Sequence, residues 1–322
     1  MNFLIYSKYL LIIPPLILII ALMFDLTIGD PEIKYHPVQL IGKTINKLKK
    51  ILWTGKSKRD KLSGFLLIII TFLLFGSITY LTQILLWHFL FKFRNNMMWE
   101  LIMVILYSII NGLILKWSFA IKYLGTVTKP IYQSLIKEDI NDARKRLSYI
   151  VRRDTEELNE MYIISACVEV IAESSTDSAI SVIWFYVFGN LIGISIYLFL
   201  SPTFLWLFLG IPSAYLFRII NTADSIVGYK DAENINIGYA SAKLDDFSNY
   251  LPTRITVFFL LFISIFYGLD VKNGWRILKL DKNKTESVNA GWTMSTMAGL
   301  LNIQLEKKNH YKLGISTREL VP

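Results

Sequence analysis

Cysteine is almost absent from this chain. One residue, Cys167, stands among 322. That excludes an intramolecular disulfide and a zinc site built on thiolates. Cys167 falls in an apolar helical run, where a small core residue is expected. A G-x-x-x-x-G-K loop and a glycine-rich kinase loop are also missing, so any nucleotide is held by another kind of site. No nucleic-acid motif occurs, and no residue pattern repeats. Acidic residues are outnumbered, 25 against 34 basic ones, for a net charge of +9. In a soluble protein that excess would point to nucleic acid. Here Lys and Arg cluster between apolar runs, and the retention of positive loops in the cytoplasm explains them better.

What the chain has in excess is apolar length. Hydrophobic residues make up 53% and aromatics 14%, above the roughly 45–50% apolar usage of soluble domains. Apolar runs cover 9–28, 62–91, 97–117, 179–200, 203–220 and 251–269. The expected fold is therefore all-α: a multi-pass transmembrane protein of about five or six apolar segments, forming one integral membrane domain over 1–322. Its polar functional segments are 25–61, 118–178, 221–254 and 270–322. The first run lacks a small-x-small cleavage site and contains Pro14-Pro15, so it reads as an uncleaved anchor. Val38, Ile41, Ile45, Leu48, Ile51 and Leu52 recur at three- and four-residue steps among Lys43, Lys47, Lys49 and Lys50. This is a basic amphipathic helix suited to an anionic membrane face, and it marks the 31–61 loop as cytoplasmic. A second amphipathic helix is expected over 294–305. If every run crosses the bilayer, the basic tail falls opposite the basic 31–61 loop. Either one run is a re-entrant or half-buried hairpin, with the pair 179–220 the most suspect, or the active surface is not all cytoplasmic.

The stretch Asn221–Arg254 separates two apolar blocks and reads NTADSIVGYKDAENINIGYASAKLDDFSNYLPTR. A plain linker needs no paired Asp beside Asn and Arg. Asp224, Asp245 and Asp246 offer hard oxygen ligands for a divalent cation, and Arg254 suits phosphate. Upstream, Asp25 is costly in lipid and should face protein or water. His36 alone reads as an ordinary loop residue, but Asp25 and Asp30 beside it suggest a site. Asp154 followed by Glu157 fits a helix-start box. Glu169, Glu173 and Asp177 stand four residues apart on one face if their helix continues. With no Lys or Arg between Asp154 and Asp177, these carboxylates are expected to need a metal or a cationic substrate.

Taken together, several blocks resemble the adenosylcobinamide-phosphate synthase family. They are Asp25 to Gly29-Asp30-Pro31, His36-Pro37-Val38 with Ile41-Gly42, Arg153-Asp154, Glu169 with Glu173 and Asp177, Asn221-Thr222 to Gly228-Tyr229, Leu244-Asp245-Asp246 to Arg254, and Asn289-Ala290-Gly291-Trp292. The chain departs at Ser174, Ser178 and Val182, where the family usually carries Asn, Gly and Pro. The resemblance implies a cell-membrane enzyme of cobalamin biosynthesis. It would join adenosylcobyric acid to aminopropanol or its phosphate, with ATP as co-substrate and Mg2+ as cofactor. It implies catalytic roles for His36, Asp30, Asp224 and Asp246. Substrate contacts would come from Asn221, Tyr229, Arg153, Arg254, Asn289 and Trp292, and metal ligation from Glu173, Asp177, Asp224 and Asp245. Membrane lipid is the expected surroundings, nucleic acid is not a partner, and a homo-oligomer or association with other corrinoid enzymes stays open. Two other classes fit the acidic loop: a magnesium-dependent transferase acting on lipid diphosphates, and a non-catalytic membrane sensor.

Overall fold

The computed structural model describes residues 9–31, 35–92, 96–201, 203–229 and 231–315. Pro202 and Lys230, part of the stretches singled out above, lie outside them. The described residues are mostly helical, with one two-stranded antiparallel hairpin. The chain divides into two compact units. The first comprises Met1–Ala120 and Ser181–Phe247, the second Ile121–Ile180 and Ser248–Pro322.

In the first unit the helices are α1 (Ile13–Ile28), α2 (Pro37–Leu52), α3 (Ser57–Lys92), α4 (Met97–Lys116), α8 (Ser181–Phe199), α9 (Gly210–Val227) and most of α10 (Tyr239–Ser248). Proline in its first turn starts α1, where the missing N–H has no helical partner to lose. Gly29 ends it at φ 72°, donating to the Asp25 carbonyl at 2.9 Å. Its 16 residues give about 24 Å at 1.5 Å per residue, short of a hydrocarbon core of about 30 Å. Asp25 is fully buried, as its cost in lipid requires.

The 36 residues of α3 bury Ser63, Gly64, Leu67, Ile68, Thr71, Gly76, Thr79, Gln83 and Trp87 along one face. The opposite face exposes Ile69, Leu73, Ile78, Leu81 and Leu85. Small and polar residues inside with large apolar ones outside is the arrangement of a helix in lipid, where close backbone approach drives association. The amphipathic pattern of α2 is realised over Pro37–Leu52, with the middle of its apolar stripe packed on protein and Ile51 exposed. Ile41 and Ile45 are fully buried against α3 and α9, each contributing about 1.5–3 kcal/mol. Lys43, Lys47 and Lys50 remain exposed.

Helix α9 is the centre of this unit, packing on α2, α3, α4 and α8. It buries residues all round, among them Ile211, Tyr215, Phe217, Arg218, Ile220 and Ala223. That is why 203–220 does not behave as a lipid-facing span. Its first part winds instead into a 3₁₀ turn, Phe204–Phe208. Helices α8 and α9 pack antiparallel, closely enough that a Cβ on Gly193 would lie 2.1 Å from the Trp206 carbonyl and one on Gly189 2.3 Å from Ser213 Oγ.

The second unit contains α5 (Ile121–Ile136), α6 (Ile140–Leu147), α7 (Glu160–Ser175) with a π turn at Thr176–Ile180, α11 (Tyr250–Phe266), α12 (Val271–Asp281), α13 (Ala290–Leu301) and the strands β1 (Leu305–Lys307) and β2 (Tyr311–Leu313). Two sequence expectations are corrected here. Asp154 does not start a helix. It accepts from the Glu156 amide at 3.0 Å in a local turn, and Asn159 caps α7 by accepting from the Tyr162 amide at 3.0 Å. The expected amphipathic helix over 294–305 begins earlier, at Ala290, and stops at Asn302, which is left-handed at φ 56°. It is not amphipathic, because α7, α11, α12 and the hairpin surround it.

All six apolar runs are present as helices, but among the described residues three stretches are long and apolar enough to cross a membrane alone: Ser57–Lys92, Met97–Lys116 and Glu160–Phe199. The pair Tyr239–Ser248 and Tyr250–Phe266 makes a fourth if counted as one span.

Candidate active site

Most motif residues of the first unit collect at one end of it. Ser57 Oγ donates to Asn236 Oδ1 at 2.8 Å, and Lys49 Nζ lies 3.0 Å from Glu233 Oε2. A Cβ on Gly64 would sit 2.1 Å from the Ile237 carbonyl, and one on Gly238 1.7 Å from that of Val227. Only glycine allows these approaches, and they draw the Asp231–Gly238 turn against the start of α3. At the same end, Lys116 closes α4 with its side chain buried and ion-paired to Asp30. Its ammonium also lies 4.6 Å from the Trp117 ring centroid. His36 meets the same indole edge-on at 5.0 Å, and its Nε2 is 3.6 Å from Asp30 Oδ1. Burial would raise the Asp30 carboxyl, but the His36 and Lys116 contacts outweigh it and hold the group below its ordinary value. His36 also caps α2, accepting from the Val38 amide through Nδ1 at 3.2 Å.

One residue beyond Trp117 the line continues. The Ser118 carbonyl accepts from Arg218 Nε at 2.9 Å and from Arg218 Nη2. Arg218 Nη1 donates to Asn221 Oδ1 at 3.2 Å, and Asn221 Nδ2 to Asp245 Oδ1 at 3.3 Å. Asp224 stands one turn after Asn221 on the same helix. A Cβ on Gly228 would lie 2.0 Å from its Oδ1, so the carboxylate is folded over the helix end. Asp224, Asp245 and Asp246 are half-buried, and Tyr229 is exposed. His36, Asp30, Lys116, Arg218, Asn221 and Asp245 thus form one polar seam.

The remaining motif residues belong to the second unit. Arg153 Nη2 is 2.7 Å from Glu169 Oε2, so the base that α7 lacks in its own sequence comes from the preceding loop. Ser165 Oγ donates to Glu169 Oε1 at 2.7 Å, and Tyr311 Oη, from β2, to Glu169 Oε2 at 2.8 Å. Glu169 needs no metal, contrary to the expectation. Burial, with the Glu169 carboxylate beside it, pushes the Tyr311 phenol far above its ordinary value, and Glu173 adds to the effect. Asp177 falls in the π turn, which breaks the four-residue register linking it to Glu173. Arg254, in the first turn of α11, is stacked between two rings, 3.8 Å from the Tyr250 centroid and 4.2 Å from that of Trp292. Its Nη1 donates to Asn289 Oδ1 at 2.7 Å. Arg254, Asn289 and Trp292 are therefore brought together.

Among the described residues no group of three or more His, Cys, Asp or Glu side chains is arranged to hold a metal ion. Magnesium does not require one, since it commonly binds through one or two carboxylates plus substrate phosphates and water. Asp224 at the end of α9, and Asp245 bonded to Asn221 of the same helix, are two carboxylates at that end of the unit. Sequence reading missed Lys116, Arg218 as a link, Tyr311 and Lys282. Lys116 carried no signal, because a lysine closing an apolar run is expected to reach for the interface.

The family described as CobD/Cbib protein matches residues 18–321. A probable cobalamin biosynthesis protein CobD of Methanothermobacter thermautotrophicus is 34% identical over 298 residues, covering 92% of this chain and 86% of the relative. The cobalamin biosynthesis protein CobD of Dehalococcoides mccartyi is 32% identical, over 95% and 89% of the two chains. That of Leptospira interrogans is 34% identical, over 91% and 82%. No solved structure matches. With the matched span taking in both units and every motif residue described above, the chain belongs to the CobD/Cbib family of cobalamin biosynthesis proteins.

Proposed function

We propose that this chain is a multi-pass enzyme of the cell membrane that joins adenosylcobyric acid to aminopropanol or its phosphate by an ATP-dependent amide synthesis. The observation that carries the reading is the polar seam, which sets cations, an ionised carboxylate and an imidazole side by side in a protein of this family. A carboxylate does not react with an amine until it is activated. In the proposed reaction its oxygen attacks the γ-phosphorus of ATP, the bond to ADP breaks, and an acyl phosphate forms. The amine nitrogen then attacks the acyl carbon, inorganic phosphate leaves, and a base takes the amine proton. Magnesium, when bound, would neutralise nucleotide phosphate charge. Asp224 and Asp245 are proposed for metal ligation in the first unit, and Glu173 and Asp177, taken by themselves, for metal ligation in the second. Asp246 is proposed to act beside them, Arg153 and Arg254 to contact phosphate, and Asn221 and Tyr229 to contact substrate. The test is a coupling assay on the purified membrane protein with adenosylcobyric acid and aminopropanol phosphate. Product is expected only with ATP. Activity on a lipid diphosphate without ATP would favour the transferase instead.

His36 is the proposed base. Its Nδ1 lone pair is engaged by the Val38 amide, so it can take the amine proton only by giving up that bond. His36→Asn keeps a capping acceptor and removes the titrating ring. Turnover is expected to fall about a hundredfold or more, with the fold retained. A variant with wild-type turnover across pH would reduce His36 to a helix cap.

The 31–61 segment is proposed to face the cytoplasm, and the contacts of Lys49 and Ser57 carry the Asp231–Gly238 turn to the same side. Ser57 is exposed. In Ser57→Cys, an impermeant thiol reagent should label the protein after lysis and not in intact cells. Labelling of intact cells would invert the topology.

A further inference from the structure

A cavity of about 310 Å³ in the second unit is lined by Arg254, Lys282, Asn283, Thr285, Ser287, Val288 and Trp292. Its chemistry is one-sided. Two cations line it and no carboxylate does. Lys282 Nζ lies 4.4 Å from the Trp292 ring centroid, and the Arg254 guanidinium carbon 4.2 Å from it. One indole therefore holds both cations beside the same space. Two other cations of this unit meet carboxylates: Arg153 pairs with Glu169, and Lys284 lies 2.6 Å from Asp281. Among the described residues, Arg254 and Lys282 have no carboxylate partner. Arg254 is bonded only to the Asn289 side chain and the Tyr250 carbonyl. Two cations beside one space repel each other, and an anion in the cavity offsets that repulsion.

The anion's class follows from charge and size. A phosphomonoester carries about −1.5 to −2 charges at pH 7, which matches two cations. A nucleotide triphosphate brings magnesium, and this lining offers no oxygen anion to receive it. The cavity also lies at the small end of the roughly 300–1,000 Å³ range of ligand pockets. Trp292, moreover, is already occupied by cations and is not free to stack a base. We propose that Lys282 and Arg254 form a two-cation pocket for the phosphoryl group of a small phosphomonoester, with Lys282 as the residue that selects the phosphorylated over the unphosphorylated amine. The identity of the amine rests on the amide-synthase reading; the pocket itself does not.

Two measurements separate these. The purified full-length protein is titrated with inorganic phosphate, as wild type, Lys282→Met and Lys282→Arg. Lys282→Met keeps the apolar stem over Trp292 and is expected to weaken phosphate binding about ten- to hundred-fold, while Lys282→Arg restores it. In the coupling assay, Lys282→Met should raise KM for the phosphorylated amine by a similar factor and leave KM for ATP and for the unphosphorylated amine unchanged. Equal phosphate binding by wild type and Lys282→Met would overturn the pocket. A rise in KM for ATP alone would assign the cavity to the nucleotide and overturn the assignment to the amine. If wild type couples nothing, the amide-synthase reading fails, and the phosphate titration alone decides the pocket.

Discussion

Asp224→Ala is expected to lower turnover by at least about a hundredfold while the protein stays in the membrane and melts as wild type does. The carboxylate is half-buried at the end of α9, folded over Gly228 with its Oδ1 2.0 Å from where a Cβ would stand. Its own carbonyl takes the Gly228 amide at 2.9 Å, a backbone bond that alanine keeps. The substitution therefore removes charge without removing the helix end. One turn earlier Asn221 is tethered to Asp245 at 3.3 Å, so two carboxylates are held to one helix terminus. This is the geometry in which magnesium would be shared with phosphate oxygens. Asp224→Asn, which keeps the shape and loses the charge, should behave like Asp224→Ala and should need more magnesium for its residual activity. Asp246→Ala is expected to lose activity as well. Wild-type turnover in both alanine variants would remove the acidic cluster from the reaction.

The helices were largely legible, because apolar runs and three- or four-residue steps are local signals. Pro37–Leu52 and Met97–Lys116 fall within a residue or two of their expected limits. What covers a helix was not legible. The basic stripe of α2 suggested a membrane surface, yet Ile41 and Ile45 pack on protein. Pattern gives the width of an apolar face and not its partner. The 203–220 run is apolar by composition, and composition does not say that α9 is central, with α2, α3, α4 and α8 packed on it. Charge pairing at long range was equally hidden. Glu169 seemed to lack a counter-charge because Arg153 lies 16 residues back in a loop. The departures at Ser174, Ser178 and Val182 did leave a trace, since the π turn at Thr176–Ile180 occupies the same place. Within the candidate site, acidic and aromatic motif residues announced themselves. Lys116 and Lys282 did not, in a chain that carries 34 basic residues.

Lys116→Met is expected to be the most destabilising single change at the seam. The Lys116 side chain is 3% exposed and that of its partner Asp30 17%. Removing the ammonium leaves the carboxylate poorly solvated, with the His36 imidazole 3.6 Å away. Breaking one side of a buried pair costs about 3–5 kcal/mol, or a melting temperature lower by about 10 °C for a unit of this size. Asp30→Asn in the same background removes the stranded charge. The double variant should therefore melt well above Lys116→Met, because most of the single loss is unpaired charge and not lost attraction. The pH dependence has a definite sign. The Asp30 carboxyl is held below its ordinary value in the fold, and an unfolded Asp titrates near about 3.9. Its contribution is thus complete above that value and is lost as pH falls through the lower folded one. Wild type should lose melting temperature on acidification below about pH 4, and the double variant should lose less over the same interval. The measurement is a thermal melt of both variants and wild type in one detergent, at neutral pH and at acid pH. A Lys116→Met protein that melts with wild type would mean that water reaches Asp30, and that the pair is neither buried nor a fixed part of the site.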